Sequence, residues 1–411
     1  MDDDTPIRDF IDGATAWRPA DDSKPNPFEP ENLADFLAGP IPPREWLLGT
    51  LLCREYLTVL AASGGSGKTA VSTVWALSLA SGRPLVGLCV HKRCRVLVLT
   101  FEDARTEYRR RFKAACLHHH LDPQELGGFL FIKCLNGLGI TLAKPEKEGV
   151  MIETDAPARI MELIQRLKID AVMLDPFVKC SGAPENDNVA VDAVARILAR
   201  IAEQGNVAVL VAHHFRKGAA EAGNIDSARG ARSLIDAARI ALTLMPMSSD
   251  EANKFGVPED ERCRLIRLDD GKVNLALASR TKWYRLASVN IDNGTPDYPQ
   301  GDNVQAVEQW TPPETWDGLP NAVLNRILDD IEEGLPDGER YSGAASATTR
   351  AAWPFVQKHA PEKTEKQCRE IIRTWMKTRL LLVEEYQSPK ARKQFEGLRV
   401  DAAKRPGTGA Q

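Results

Sequence analysis

The sequence predicts an α/β protein with a mostly parallel central sheet and a small α+β unit near the C-terminus. Three observations predict it. Tyr56-Leu57-Thr58-Val59-Leu60-Ala61 reads as a strand, Ser63-Gly64-Gly65-Ser66-Gly67-Lys68-Thr69 as a glycine turn, and Ala70 to Leu77 as a helix. Two further apolar runs end in carboxylates, Arg95 to Phe101 before Glu102-Asp103 and Ala171 to Leu174 before Asp175. Nearly continuous apolar strands of this kind suit a parallel sheet covered on both faces. Beyond residue 320 the pattern changes to three helical segments followed by two short strands.

The glycine turn carries the chemistry. Glycines let successive backbone N–H groups converge without Cβ clashes, and a helix N-terminus adds free donors and partial positive charge. Ser63, Gly64, Gly65, Ser66, Gly67, Lys68, Thr69 and Ala70 are therefore expected to cradle the phosphates of ATP. Lys68 would reach the β- and γ-phosphates, and the Thr69 hydroxyl would ligate Mg²⁺. Ala62 stands where the phosphate-loop pattern has its first glycine. Glu102, at a strand end taken to neighbour the loop, is placed to orient an attacking water. Asp103 reads as the N-cap of the basic helix that follows. Asp175 at the next strand end can hold Mg²⁺ through water.

Composition bounds the rest. The 411 residues carry a net charge of -4, so any nucleic-acid surface must be local. The eight cysteines form no Cys-x-x-Cys pair, which argues against zinc ribbons and disulfides and fits a reducing cytoplasm. No apolar run reaches membrane-spanning length, so no membrane partner is expected. Residues 1–40 read as a flexible N-terminal arm. Cys116 and His118-His119-His120 read as a solvated helix end rather than a metal site.

Further along, Val189 to Gln204 is an amphipathic helix with Asn188 as its expected N-cap. Val207 to Val211 is a strand ending in His213-His214, followed by the basic loop of Arg216 and Lys217. A histidine here would lie beside the γ-phosphate and report its presence, with His214 preferred over His213. Strands are expected at Ile240 to Leu244, Cys263 to Leu268 and Lys282 to Ala287, and a linker at 289–319. The ATPase domain thus spans 41–288 and a winged helix-turn-helix unit 320–403, with a disordered tail at 404–411. In that unit Ala345 to His359 is a helix interrupted by Pro354, and Thr364 to Lys377 is another. From Thr364 onward there are eleven Lys/Arg against six Asp/Glu. Lys366, Arg369, Arg373 and Lys377 on the last helix and Lys390 and Arg392 in the wing loop are the expected DNA contacts, with Arg216 and Lys217 in the first unit.

With these residues in view, the chain resembles the RecA-like ATPases of the plasmid-replication RepA type, hexameric helicases related to DnaB. The resemblance covers roughly 40 to 287. It is carried by Ala62 to Thr69, Thr100-Phe101-Glu102-Asp103, Leu174-Asp175-Pro176-Phe177, Glu185 to Asn188, Ala212 to Gly218 and Ala228-Arg229-Gly230. It implies that Glu102 is the catalytic base, Asp175 the metal carboxylate and His214 the sensor. It also implies an arginine acting on a neighbouring subunit, Arg239, with Arg229 and Lys272 as rivals. Ring-channel loops would fall at 180–188 and 215–228. The expected function is an ATP-hydrolysing DNA motor, a hexamer with single-stranded DNA in its channel. The alternative is an ATP-switched regulator or loader that binds DNA through the winged helix without unwinding.

Overall fold

The computed structural model describes residues 29–146, 151–183, 187–214, 232–255, 257–277, 279, 281–312, 321–344 and 346–405. The chain divides into two units, one up to Arg44 and one from Glu45. In the first, the single turn α1 (Leu33–Phe36) is capped by Asn32, whose side chain accepts from Asp35 N at 3.1 Å. None of its residues is buried.

The second unit opens with an antiparallel pair, β1 (Trp46–Leu48) and β2 (Leu52–Cys53). Then come β3 (Leu57–Ala62), α2 (Lys68–Ser81), β4 (Val96–Thr100), α3 (Arg105–His118) and β5 (Leu130–Cys134). A hairpin of β6 (Ala143–Pro145) and β7 (Met151–Glu153) precedes α4 (Ala156–Leu167), β8 (Ala171–Asp175), α5 (Asn188–Gly205) and β9 (Ala208–His214). After α6 (Arg232–Ala237) and β10 (Ile240–Pro246), two short helices, α7 (Ser249–Phe255) and α8 (Glu259–Arg262), lead to β11 (Leu265–Val273), β12 (Lys282–Asn290) and β13 (Asn303–Trp310).

These strands form one sheet in the order β13-β12-β11-β10-β3-β9-β8-β4-β5. From β10 to β5 every pairing is parallel. From β10 to β13 every pairing is antiparallel. Alternate residues of the parallel strands feed two cores, as strand pleating requires. Leu57, Val59 and Ala61 pack with Val172, Leu174, Val209 and Val211 under α4, α5 and α6. Leu60 and Ala62 pack with Val96, Val98 and Leu210 around α2.

Helix α2 is buried on all sides, from Ala70 through Ala80. Its core continues into Ile266, Tyr284, Leu286 and Val307 of the antiparallel strands, and into Tyr108 and Phe112 of α3. The sheet therefore curls around α2, and this is why that helix is apolar all round instead of amphipathic.

Several expectations are corrected. Residues 289–312 of the expected linker are not a linker, because β13 pairs with β12 from Trp283↔Trp310 to Asn290↔Asn303, and the rest of it, 313–319, lies outside the described residues. The Asn-, Asp-, Pro- and Gly-rich stretch before it is only the turn joining the two strands. Ala306 and Val307 are buried, and Trp310 packs edge-on to Trp283 at 5.8 Å between ring centroids. The strand β4 does not neighbour β3, since β9 and β8 lie between them. The N-cap of α5 is Asp187, accepting from Val189 N and Ala190 N, and not Asn188. The N-cap of α3 is Ala104, not Asp103. The histidines ending α3 are not merely solvated. His118 Nε2 donates to Glu308 at 3.0 Å and His119 Nε2 to the Val307 carbonyl at 2.8 Å, stitching α3 to β13.

The C-terminal part has its own core, built on α9 (Asn321–Glu333), α10 (Trp353–His359), α11 (Glu365–Lys377) and the hairpin of β14 (Leu381–Gln387) and β15 (Gln394–Val400). Pro354 does not interrupt a helix. It sits in the first turn of α10, where a missing N–H costs nothing. Thr364 and Gln367 close a capping box at the start of α11.

Candidate active site

The glycine turn closes on itself before α2 begins. Ser66 N and Ser66 Oγ both donate to the Ser63 carbonyl, at 3.3 and 2.8 Å. Gly67 has φ +80°, a left-handed conformation that only glycine adopts cheaply. A Cβ there would also lie 2.9 Å from Leu286 Cδ2. Gly67 caps α2 with no side-chain hydrogen bond, so the first amides of the helix keep their donors for an anion. Ala62 replaces a glycine without harm because it is still a strand residue, paired with Leu244 and His214.

Three elements bring their polar ends to this turn. Lys68 Nζ, only 5% exposed, donates to Asp175 Oδ1 at 3.2 Å and to His214 Nε2 at 3.2 Å. Thr69 Oγ1 donates to Asp175 Oδ2 at 2.7 Å. A buried ammonium needs such partners. Beside it, His214 Nε2 can only accept, which describes a neutral imidazole. The surrounding cleft has a volume of about 370 Å³ and is also lined by Glu102, Asp103, Arg111 and Gln305. Glu102 reaches it although β4 lies three strands from β3, and its side chain is exposed.

His213 points elsewhere. It is buried, stands edge-on to Phe177 with centroids 5.7 Å apart, and its Nδ1 has no hydrogen-bond partner among the described residues. Burial, with His214 and Lys68 adding to it, lowers its pKa to about 4, so it stays neutral.

Two lining residues were not anticipated. Arg111 pairs with Asp103 at 3.4 Å. Burial raises the Asp103 carboxyl above its usual range, Arg111 opposes this, and the nearby Asp175 and Glu102 add to the rise. Gln305 carried no sequence signal, because it lies on the strand taken for a linker.

The remaining expected residues lie apart from the cleft. Arg239 is exposed, and its N–H donates to the Leu57 carbonyl at the opposite end of β3, roughly 20 Å of strand from the turn. It cannot serve the cleft of its own chain. Lys272 Nζ donates to the Ile235 and Asp236 carbonyls at 2.9 and 3.2 Å, closing the end of α6. Arg216, Lys217 and Arg229 lie outside the described residues, as does the loop 215–228. In the C-terminal part, Lys366, Arg373 and Lys377 are exposed on α11. Arg373 pairs with Glu370, while Arg369 pairs with Glu365 at 2.7 Å and stacks over Trp353. Lys390 and Arg392 are exposed between β14 and β15.

The donor set suits a magnesium nucleotide. Magnesium keeps most of its water and takes one or two hard oxygen ligands from protein, which Thr69 and Asp175 offer side by side. Residues 24–220 match a family model described as an AAA domain. The match includes the turn, Glu102, Asp175 and both histidines, and ends before Arg239 and the antiparallel strands. The core is a P-loop ATPase of RecA-like fold. No helix among the described residues is long and apolar enough to cross a membrane.

Proposed function

We propose that this P-loop ATPase is a DNA motor, a hexameric helicase of the RepA and DnaB kind, acting in the replication of a plasmid, phage or mobile element. The observation that carries it is the meeting of Lys68, Thr69, Asp175 and His214 beside Glu102 in one cleft. Lys68 exchanges Asp175 for the β- and γ-phosphates of ATP. Thr69 and Asp175 would hold Mg²⁺, which would neutralise phosphate charge when bound. Glu102 orients a water and takes its proton as the water attacks the γ-phosphorus. The bond from that phosphorus to the bridging oxygen of ADP then breaks, giving ADP and phosphate.

His214 sits at the end of β9 and shares Lys68 with the nucleotide, so loss of the γ-phosphate changes its partner. It passes that change to the segment carrying Arg216 and Lys217. Arg239, remote from its own cleft, acts on a neighbouring copy. The C-terminal winged unit contacts duplex DNA through Lys366, Arg369, Arg373, Lys377, Lys390 and Arg392, and single-stranded DNA runs through the ring.

The test is ATP hydrolysis and strand displacement by the full chain, with and without single-stranded DNA. DNA-stimulated hydrolysis with unwinding supports the motor. Hydrolysis with duplex binding and no unwinding gives the second reading, a regulator or loader. The separate core of the C-terminal unit favours that reading. Hydrolysis that ignores DNA in every form would overturn both.

A further inference from the structure

One residue of the nucleotide cleft stands outside the set that meets the phosphates and the metal. Lys68, Thr69, Asp175 and His214 bond among themselves. Gln305, near the start of β13, lines the same cleft and takes no part in that set. Among the described lining residues it alone carries a carboxamide. Its side chain is exposed and makes no hydrogen bond among the described residues.

Strand pairing fixes where this amide stands. Leu286 of β12 lies against the glycine turn, since a Cβ on Gly67 would come within 2.9 Å of it. Val307 is the register partner of Leu286 and packs in the core around α2. Gln305 lies two residues back along β13, on the same face as Val307, about 7 Å of strand away. An offset of that size is what a ribose puts between the phosphates and a base. The strand is pinned on both sides of Gln305. Asp302 accepts from Arg110 Nε at 2.9 Å and from Asn293 Nδ2 at 2.7 Å. His119 Nε2 donates to the Val307 carbonyl and His118 Nε2 to Glu308.

A side-chain amide matches one edge of adenine. Its oxygen accepts from the N6 amino group while its nitrogen donates to N7. Guanine presents acceptors at both places, O6 and N7, so the amide oxygen there meets an acceptor. We infer that Gln305 reads the base of the bound nucleotide and selects adenine over guanine. The inference rests on the phosphates lying in the glycine turn, as the ATPase core requires. It assigns the base to a strand beyond the family match, which ends at residue 220.

The test titrates the full chain with ADP and GDP by calorimetry. The wild type is expected to bind ADP at least about tenfold, or ~1.4 kcal/mol, more tightly than GDP. In Gln305→Ala that preference is expected to vanish, through weaker ADP binding with GDP binding unchanged. Gln305→Met keeps the length of the side chain and is expected to lose the preference equally. Two analogues locate the bonds. 7-Deaza-ADP lacks the N7 acceptor, and N6,N6-dimethyl-ADP lacks the N6 donors. Each is expected to bind the wild type more weakly than ADP, and Gln305→Ala as ADP does. In steady-state hydrolysis Gln305→Ala is expected to raise KM for ATP about tenfold with kcat nearly kept.

Wild-type binding of GDP as tight as of ADP overturns the inference. So does an ADP preference that survives in Gln305→Met, an equal loss of ADP and GDP binding in Gln305→Ala, or a loss of kcat at unchanged KM. These failures leave the ATPase reading standing. A wild-type chain that binds neither nucleotide overturns both together.

Discussion

Lys68, Asp175 and His214 define the residue scale, because the Lys68 ammonium binds both of the others. Of the carboxylates lining the cleft, Glu102 is the exposed one. Glu102→Gln is expected to bind ATP as the wild type does and to lose turnover by about 10²–10⁴-fold, measured by nucleotide titration beside steady-state hydrolysis. Lys68→Ala is expected to abolish hydrolysis in the same assay. If Glu102→Gln turned over normally, the base would have to be sought elsewhere in the cleft. Gly67 tests the loop itself. Gly67→Ala meets both a left-handed backbone and Leu286, so a loss of about 1–3 kcal/mol in stability and weaker nucleotide binding are expected. Adding Leu286→Ala relieves only the contact, and partial recovery in thermal melts is the outcome that fits.

At the scale of elements, hydrogen bonds to single carboxylates hold loops in place. Glu339 is buried beneath the β14–β15 hairpin and accepts from Ser388 and Tyr386. The Ser388 hydroxyl, then the Tyr386 hydroxyl, hold its carboxyl below the usual 4.5. A lowered folded value stabilises above the unfolded value and is lost as pH falls through the folded one. Glu339→Gln should therefore melt below the wild type at neutral pH, with the gap closing as pH falls through the lowered folded value. A gap independent of pH would assign the effect to packing instead. The same scale explains the misread helix starts. Asp187 and Asn188 are equally good caps in isolation, and which one takes the role depends on where the preceding loop delivers the chain.

For the whole molecule, the decisive feature is the sheet curling around α2 and returning to α3 through β13. Arg110 with Asp302, His118 with Glu308 and His119 with the Val307 carbonyl fasten that return. A chain ending at Ser288, the expected domain boundary, would lose β13 and uncover the partners of Val307 and Trp310. It is expected to be less stable by about 3 kcal/mol or more than one ending at Pro312, measured by urea denaturation. Equal stability would mean that β13 is an ornament of the fold.

The sequence alone determined the phosphate loop, the carboxylates ending β4 and β8, the histidine pair ending β9 and the separate C-terminal core. Each is local chemistry: a glycine turn between strand and helix, or a polar residue closing an apolar run. Only the tertiary structure decided strand order, and with it that Glu102 reaches the cleft from three strands away. It also decided that His214 and not His213 meets Lys68, since adjacent strand residues face opposite sides and the register of β9 against β3 selects one. Arg111 and Gln305 joined the cleft in the same way. Their positions depend on long-range pairing, which no window of neighbouring residues encodes.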